Sequence, residues 1–304
     1  MTAVVVRRLV RLVVVLAGVS IVTFSILHVS GDPVALMMPE APEADRAVLR
    51  RAMGFDEPVA VQFVRFIANT ARGEFGNSFF HRQPALHLVL ERMPTTLTLT
   101  MLAMGLALLI AIPGGIYSAI RRNSVIDHAV TVVVFLGQSM PVFWTGIMLI
   151  LLFAVQWRVL PVSGWEGWAS ALLPAVTLGT FSAPLLLRIV RSSMLEVINL
   201  DYVRTARAKG VSEWLVIGRH ALQNAALPLV TVAGLQFGLL LGGAVITETV
   251  FAIPGVGRLI VGAIRQLDFP VVQAGVFMLA MIVVLVNFVV DVLYLYLNPT
   301  IRVR

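Results

Sequence analysis

Cysteine is absent from these 304 residues, lysine occurs once, and charged side chains make up only 13% of the chain. Without thiols there are no disulfides, no thiolate metal sites and no cysteine nucleophile. The one lysine, Lys209, is followed by Gly210. A phosphate-cradling loop needs Gly-Lys followed by Ser or Thr, so the chain has no such loop, and ATP-driven work would have to come from another chain. The five histidines, His28, His81, His87, His128 and His220, are scattered and show no metal-ligand spacing. No group of titratable residues recurs at catalytic spacing. A catalytic residue, a metal and a cofactor bound by this chain are all therefore unexpected.

What the chain has instead is apolar surface. Hydrophobic residues make up 59% of it, and the mean hydropathy is +0.92. Soluble domains carry about 25% charged residues, so a bilayer is the expected solvent. About 20 apolar residues cross the hydrocarbon core as a helix. Six candidate runs emerge, at 12–29, 97–120, 129–156, 172–187, 229–250 and 271–297, the fourth of them short. The expected fold is an all-α polytopic membrane domain over 1–304. Arg7, Arg8 and Arg11 precede the first run, which is long for a signal core and has no small-x-small site after it. An uncleaved first span is expected. The net charge of +7 then reads as topology rather than nucleic-acid binding. Most basic residues of the short connections fall on the side of the N-terminus, and only Arg158, Arg258 and Arg265 on the other. That bias places both termini in the cytoplasm.

The loop at 30–96 is long and patterned. Residues 44–53 read as a short helix, and Val59, Phe63, Phe66 and Ile67 recur at helical spacing. Gly73-Glu74-Phe75-Gly76-Asn77-Ser78 makes a turn. A small outer cap is expected, either packed on itself or docking an external partner, with His81 and His87 facing solvent. The third run contains Gln138-Ser139-Met140-Pro141. Proline kinks a helix, and polar residues at membrane depth usually face a cavity, so these four are candidates for a transport path. The fourth run carries Pro174 and Pro184. After the fifth, Pro254-Gly255-Val256-Gly257 turns the chain into a short amphipathic helix at 256–267. Asn287 and Asp291 share one face of the sixth run; a structural role is expected for Asp291.

Between the fourth and fifth runs lies a polar island at 188–228. Its centre is Asp201-Tyr202-Val203-Arg204-Thr205-Ala206-Arg207-Ala208-Lys209-Gly210. Asn199 or Asp201 is expected to cap a first short helix, and Gly210 to end it in the left-handed conformation. Ser212 is expected to cap a second helix, carrying Trp214, Leu215, Ile217 and Leu222 and ending before Pro228. A basic helix pair of this kind could touch DNA, rest on anionic lipid, or dock in the groove of a cytoplasmic protein. In the last case Val203 and Ala206 would seat it, surrounded by Arg204, Arg207 and Lys209.

This stretch, followed by His220-Ala221-Leu222-Gln223-Asn224-Ala225 and Leu227-Pro228, resembles the coupling motif of permeases in binding-protein-dependent ABC importers. Within them it is similar to the dipeptide, oligopeptide and nickel branch. The resemblance continues through Gly31-Asp32-Pro33, Gly54-Phe55-Asp56-Glu57-Pro58 and Arg92-Met93-Pro94-Thr95-Thr96-Leu97. It runs on through Ser139-Met140-Pro141-Val142-Phe143-Trp144, Glu248-Thr249-Val250-Phe251 and Asn287-Phe288-Val289-Val290-Asp291. Arg204-Thr205-Ala206 stands where the generic importer motif has Glu-Ala-Ala, and Asn298-Pro299-Thr300-Ile301 where the branch has Asp-Pro-Arg-Ile. The resemblance implies half of a translocation path in the bacterial cytoplasmic membrane. It implies a second related permease, two ATP-binding subunits that hold ATP and Mg, and an extracytoplasmic solute-binding protein. Short peptides are the implied substrate, with glutathione or chelated nickel as alternatives. A self-contained ion-coupled transporter is the rival; it would need an ion site, and the runs offer few buried charges and no clear inverted repeat.

Overall fold

The computed structural model describes residues 2–29, 34–35, 40–52 and 54–297. The Gly31-Asp32-Pro33 motif, the segment from Asn298 onward and the side chains of His28 and Asp291 lie outside what is described. Among the described residues all regular structure is helical, apart from one isolated bridge between Asn77 and Pro84. In chain order the helices are α1 (Thr2–Val29), α2 (Glu43–Ala52), α3 (Val59–Ala71), α4 (Ala85–Ile120), α5 (Val125–Ser139), α6 (Val142–Leu149), α7 (Gly167–Val197), α8 (Asp201–Ala208), α9 (Glu213–Leu215), α10 (Leu222–Val250), α11 (Val256–Arg265) and α12 (Phe269–Leu297). Wider π-helical turns follow α6 over Ile150–Gln156 and α9 over Val216–Ala221.

Four helices among the described residues are long and apolar enough to cross a membrane: Ala85–Ile120, Gly167–Val197, Glu213–Val250 and Phe269–Val290. Leu12–Ser25 and Val142–Gln156 are shorter apolar helices. The fourth run is not short. Arg188 and Arg191 end the apolar stretch without ending the helix, and α7 runs for 31 residues. Its two prolines, Pro174 and Pro184, lie inside the helix, where each removes only one ladder donor, and neighbouring threonine hydroxyls bond back within the helix. Thr177 donates to the Leu173 carbonyl and Thr180 to that of Thr177. The second helix of the polar island does not end before Pro228 either. It continues without a break from Glu213 to Val250, with Pro228 inside.

The chain divides into two compact units, Met1–Pro94 with Gly255–Val284, and Thr95–Pro254 with Leu285–Arg304. In the first, the ring of Phe24 on α1 lies 5.2 Å from Phe63 and 5.7 Å from Phe66 on α3. Phe75 meets Phe277 at 5.4 Å. The Ser78 hydroxyl donates to Asp268 just before α12, and the amide of Phe79 donates to the same carboxylate at 3.3 Å. His81 and His87 are exposed.

In the second unit Leu99, Ala103, Ala107 and Ala111 are fully buried at every fourth position of α4, a single face of a helix. They pack with Leu178, Leu186, Val190 and Met194 of α7 and with Leu240 and Ala244 of α10. Small residues let helix backbones approach closely in a membrane. Gly115 of α4 is one instance, since a Cβ there would stand 2.7 Å from Val190 and 2.9 Å from the Leu187 carbonyl oxygen.

Candidate functional site

The basic helix α8 begins at Asp201 with Leu200 in the capping position, and neither Asn199 nor Asp201 makes a side-chain cap. Its far end is a complete Schellman arrangement. Gly210 has φ +77° and donates to the Arg207 carbonyl at 2.9 Å, and Val211 donates to the Ala206 carbonyl at 3.3 Å. No side chain crowds Gly210, so the left-handed conformation alone favours glycine there. Ser212 stands at the start of α9 without a side-chain cap.

Val203 and Ala206 are not a free docking face. Both are buried against Val216 of the same chain, with Val197 and Val211 around them. Their spacing does place them on one side of α8, but that side is covered from within. The other side carries Asp201, Tyr202, Arg204, Thr205, Ala208 and Lys209, all exposed. Arg207 reaches forward to Glu213 with two bonds of 2.7 and 3.2 Å. That contact holds the Glu213 carboxyl below the usual carboxylate range and raises the Arg207 guanidinium. Asn224 donates to the Tyr202 hydroxyl at 3.0 Å, tying α8 to α10. Trp214 and Leu215 stay exposed beside it, Trp214 at 83%. The result is a small charged platform with an aromatic edge, bolted to the base of a long helix.

At Pro141 the third run is broken rather than kinked. The residue before a proline is pushed out of the helical region, and Met140 obeys with φ −91° and ψ 135°. α5 stops at Ser139, and Pro141 caps the start of α6. Gln138, Ser139 and Met140 are all exposed in the isolated chain.

Two polar contacts went unseen in the sequence. Asp127, buried, accepts from Arg191 at 3.1 and 2.9 Å and from the Asn123 amide at 3.0 Å, joining the start of α5 to α7. Glu248, fully buried in α10, accepts from the Thr96 hydroxyl at 2.6 Å. A carboxylate inside an apolar run is itself the signal for such a site. Deeper between α7 and α10, Gln236 donates to Ser182 at 3.1 Å. Asn287 is half-buried on α12. No group of three or more His, Asp or Glu residues suited to a metal ion occurs among the described residues.

Among the described residues the chain is thus all-helical, with four membrane-length helices and a charged platform between two of them. The chain belongs to the family of binding-protein-dependent transport system inner membrane components, matching it over residues 111–303, with the N-terminal component of the same systems matched over residues 1–100. It is 40% identical over 97% of both chains to the dipeptide transport system permease protein DppB of Escherichia coli K12. It is also 40% identical over 99% of both chains to the glutathione transport system permease protein GsiC of the same strain. Among solved structures, the inward-facing MetNI methionine ABC transporter matches 69% of this chain and 96% of its own, with a TM-score of 0.56 at 21% identity. These relatives are transport permeases rather than enzymes, and the chain is an inner-membrane protein of their kind.

Proposed function

We propose that the chain forms half of the translocation path of an ATP-driven importer for short peptides. In this reading six helices span the membrane: α1, α4, the α5–α6 pair, α7, α10 and α12. Both termini face the cytoplasm, residues 30–96 form the outer cap, and residues 188–228 form the cytoplasmic coupling loop. A second related permease completes the path, two ATP-binding subunits hold ATP and Mg, and a solute-binding protein delivers the substrate outside. The observation that carries this reading is the α8 platform. Its apolar side is locked to its own chain, while Arg204, Lys209 and Trp214 remain exposed for a partner.

The substrate class follows from relatives named for dipeptides and for glutathione, which are matched at the same 40% identity. The chemistry they share is a short peptide. The test is uptake by the assembled transporter in vesicles, with a dipeptide and glutathione as separate arms. Uptake that needs ATP and the binding protein supports the importer. Uptake driven by an ion gradient without ATP sinks it. Gln138, Ser139, Met140 and Pro141 would line the path at the α5–α6 break. Single cysteines at 138 and 139 should then react with aqueous thiol reagents in one nucleotide state more than another. Equal inertness in every state removes them from the path.

A further inference from the structure

Two cavities adjoin in the first unit, sharing Phe269 and Gln273 in their walls. The upper one, about 540 Å³, lies among α1, α3 and the 76–82 turn. Its walls are aromatic, with Phe24, Phe66 and Phe79, and two arginines reach it, Arg65 and Arg82. The lower one, about 390 Å³, runs between α1 and α12 and is lined by Val15, Gly18, Val19, Val22, Val272 and Val276.

We propose that the pair of cavities binds one phospholipid, with its phosphate in the upper chamber and an acyl chain in the lower cleft. Charge is the first argument. Arg65 is neutralised by Glu57 at 2.8 Å, and Asp268 is taken up by Ser78 and the Phe79 amide. Arg82 has no ion pair among the described residues, which leaves one positive charge for a phosphodiester. The junction is the second. Gln273 is half-buried where the two cavities meet, and its amide has no protein partner among the described residues. Its two N–H groups suit the ester oxygens that lie between a lipid phosphate and its chains.

The cleft supplies the third argument. Thr23, its one hydroxyl, bonds back to Val19 and Ser20 within its own helix, so nothing polar there seeks a partner. The rest of its wall is aliphatic or aromatic, apart from Gln273 at the junction. A run of methylenes fits it. A Cβ at Gly18 would meet nothing within 4 Å, so the space there is open to a ligand.

The site uses the topology proposed above only to place the headgroup in the outer leaflet. The experiment is photolabelling of the whole transporter in nanodiscs, with phosphatidylglycerol carrying a diazirine at the end of one acyl chain. A diacylglycerol with the same diazirine is the phosphate-free arm. Labels should concentrate on 15–23 and 272–276. Gly18→Leu should lower labelling about tenfold, and Arg82→Gln, an exposed change that spares the fold, should bring phosphatidylglycerol down to the diacylglycerol level. Labels spread evenly over all lipid-facing helices would overturn the site. So would equal labelling in both variants, or a photoreactive residue at Val19 that captures another protein chain instead of lipid. Loss of ATP-dependent uptake bears only on the importer reading, because labelling is read without transport.

Discussion

Thr96 and Glu248, 152 residues apart in sequence, meet at 2.6 Å with almost no solvent exposure on either. Each belongs to a short motif, Thr95-Thr96-Leu97 on α4 and Glu248-Thr249-Val250-Phe251 at the end of α10. Around the same helix end, Ile253 donates to the Glu248 carbonyl at 2.8 Å, and Gly164 donates to that of Phe251 at 3.1 Å. Thr96→Val should leave a buried carboxyl oxygen without its hydroxyl donor, at a penalty of about 1–3 kcal/mol. Glu248→Gln keeps an acceptor for Thr96 and should be milder. Thermal unfolding of the detergent-purified transporter separates them; an unchanged midpoint in Thr96→Val would show that the contact holds nothing together.

Gly210→Val should strain the end of α8 by about 1–2 kcal/mol, because L residues resist positive φ. Space is not the obstacle, since nothing surrounds the missing Cβ. Gly210→Ala should be milder and Gly210→Asn milder still. Retention of the ATP-binding subunits during purification, and uptake, should fall in that order. Full retention and uptake in the valine variant would remove this turn from the coupling machinery.

Arg191→Met should remove the charged partner of the buried Asp127 carboxylate, which keeps the Asn123 amide. A fully buried pair loses about 3–5 kcal/mol when one partner goes. Here about 2–3 kcal/mol is expected, since the Arg191 side chain keeps 30% of its exposure against 3% for Asp127. Asp127→Leu combined with Arg191→Met should recover part of the loss. A double variant no more stable than Arg191→Met alone would contradict this account of the pair.

The Arg207–Glu213 contact predicts a pH effect of definite sign. The Glu213 carboxyl is held below its usual range by Arg207, so the pair contributes fully above the ordinary glutamate value. Its contribution fades as pH falls through the lowered value. Both side chains are substantially exposed, so less than about 1 kcal/mol is at stake. Protection from hydrogen exchange over 201–209, taken relative to the intrinsic amide rate at each pH, should fall at acid pH in the wild type and show no such step in Glu213→Gln. The same acid step in both would assign it to another group.

Much of this was legible in the sequence, and the misses have physical causes. Gly210 announced the end of α8 because a glycine closing a polar helix has few other uses. Pro141 announced an interruption, but only the geometry distinguishes a kink from a stop and restart. Periodicity put Val203 and Ala206 on one side of a helix, yet it cannot say whether that side meets a partner or Val216 of the same chain. Pro228 was misread because a proline inside a long helix can be carried as a local kink rather than terminating it. The Asp127–Arg191 pair, 64 residues apart, leaves no periodic trace.

The run from Glu213 to Val250 has mechanical consequences. Its 38 residues, at 1.5 Å each, make a rod of about 57 Å. The Arg207–Glu213 and Tyr202–Asn224 contacts clamp α8 to one end of it, and Glu248 sits near the other. Where this helix moves as one body, a displacement at its base reaches its far end. Tilting the platform by a few degrees would therefore sweep the Glu248 end sideways by several ångströms in the same stroke. In the proposed importer the shaft would convert a small rotation at the base into a lateral throw at its far end, and the wider π turns at Val216–Ala221 and the proline at 228 are where it would flex.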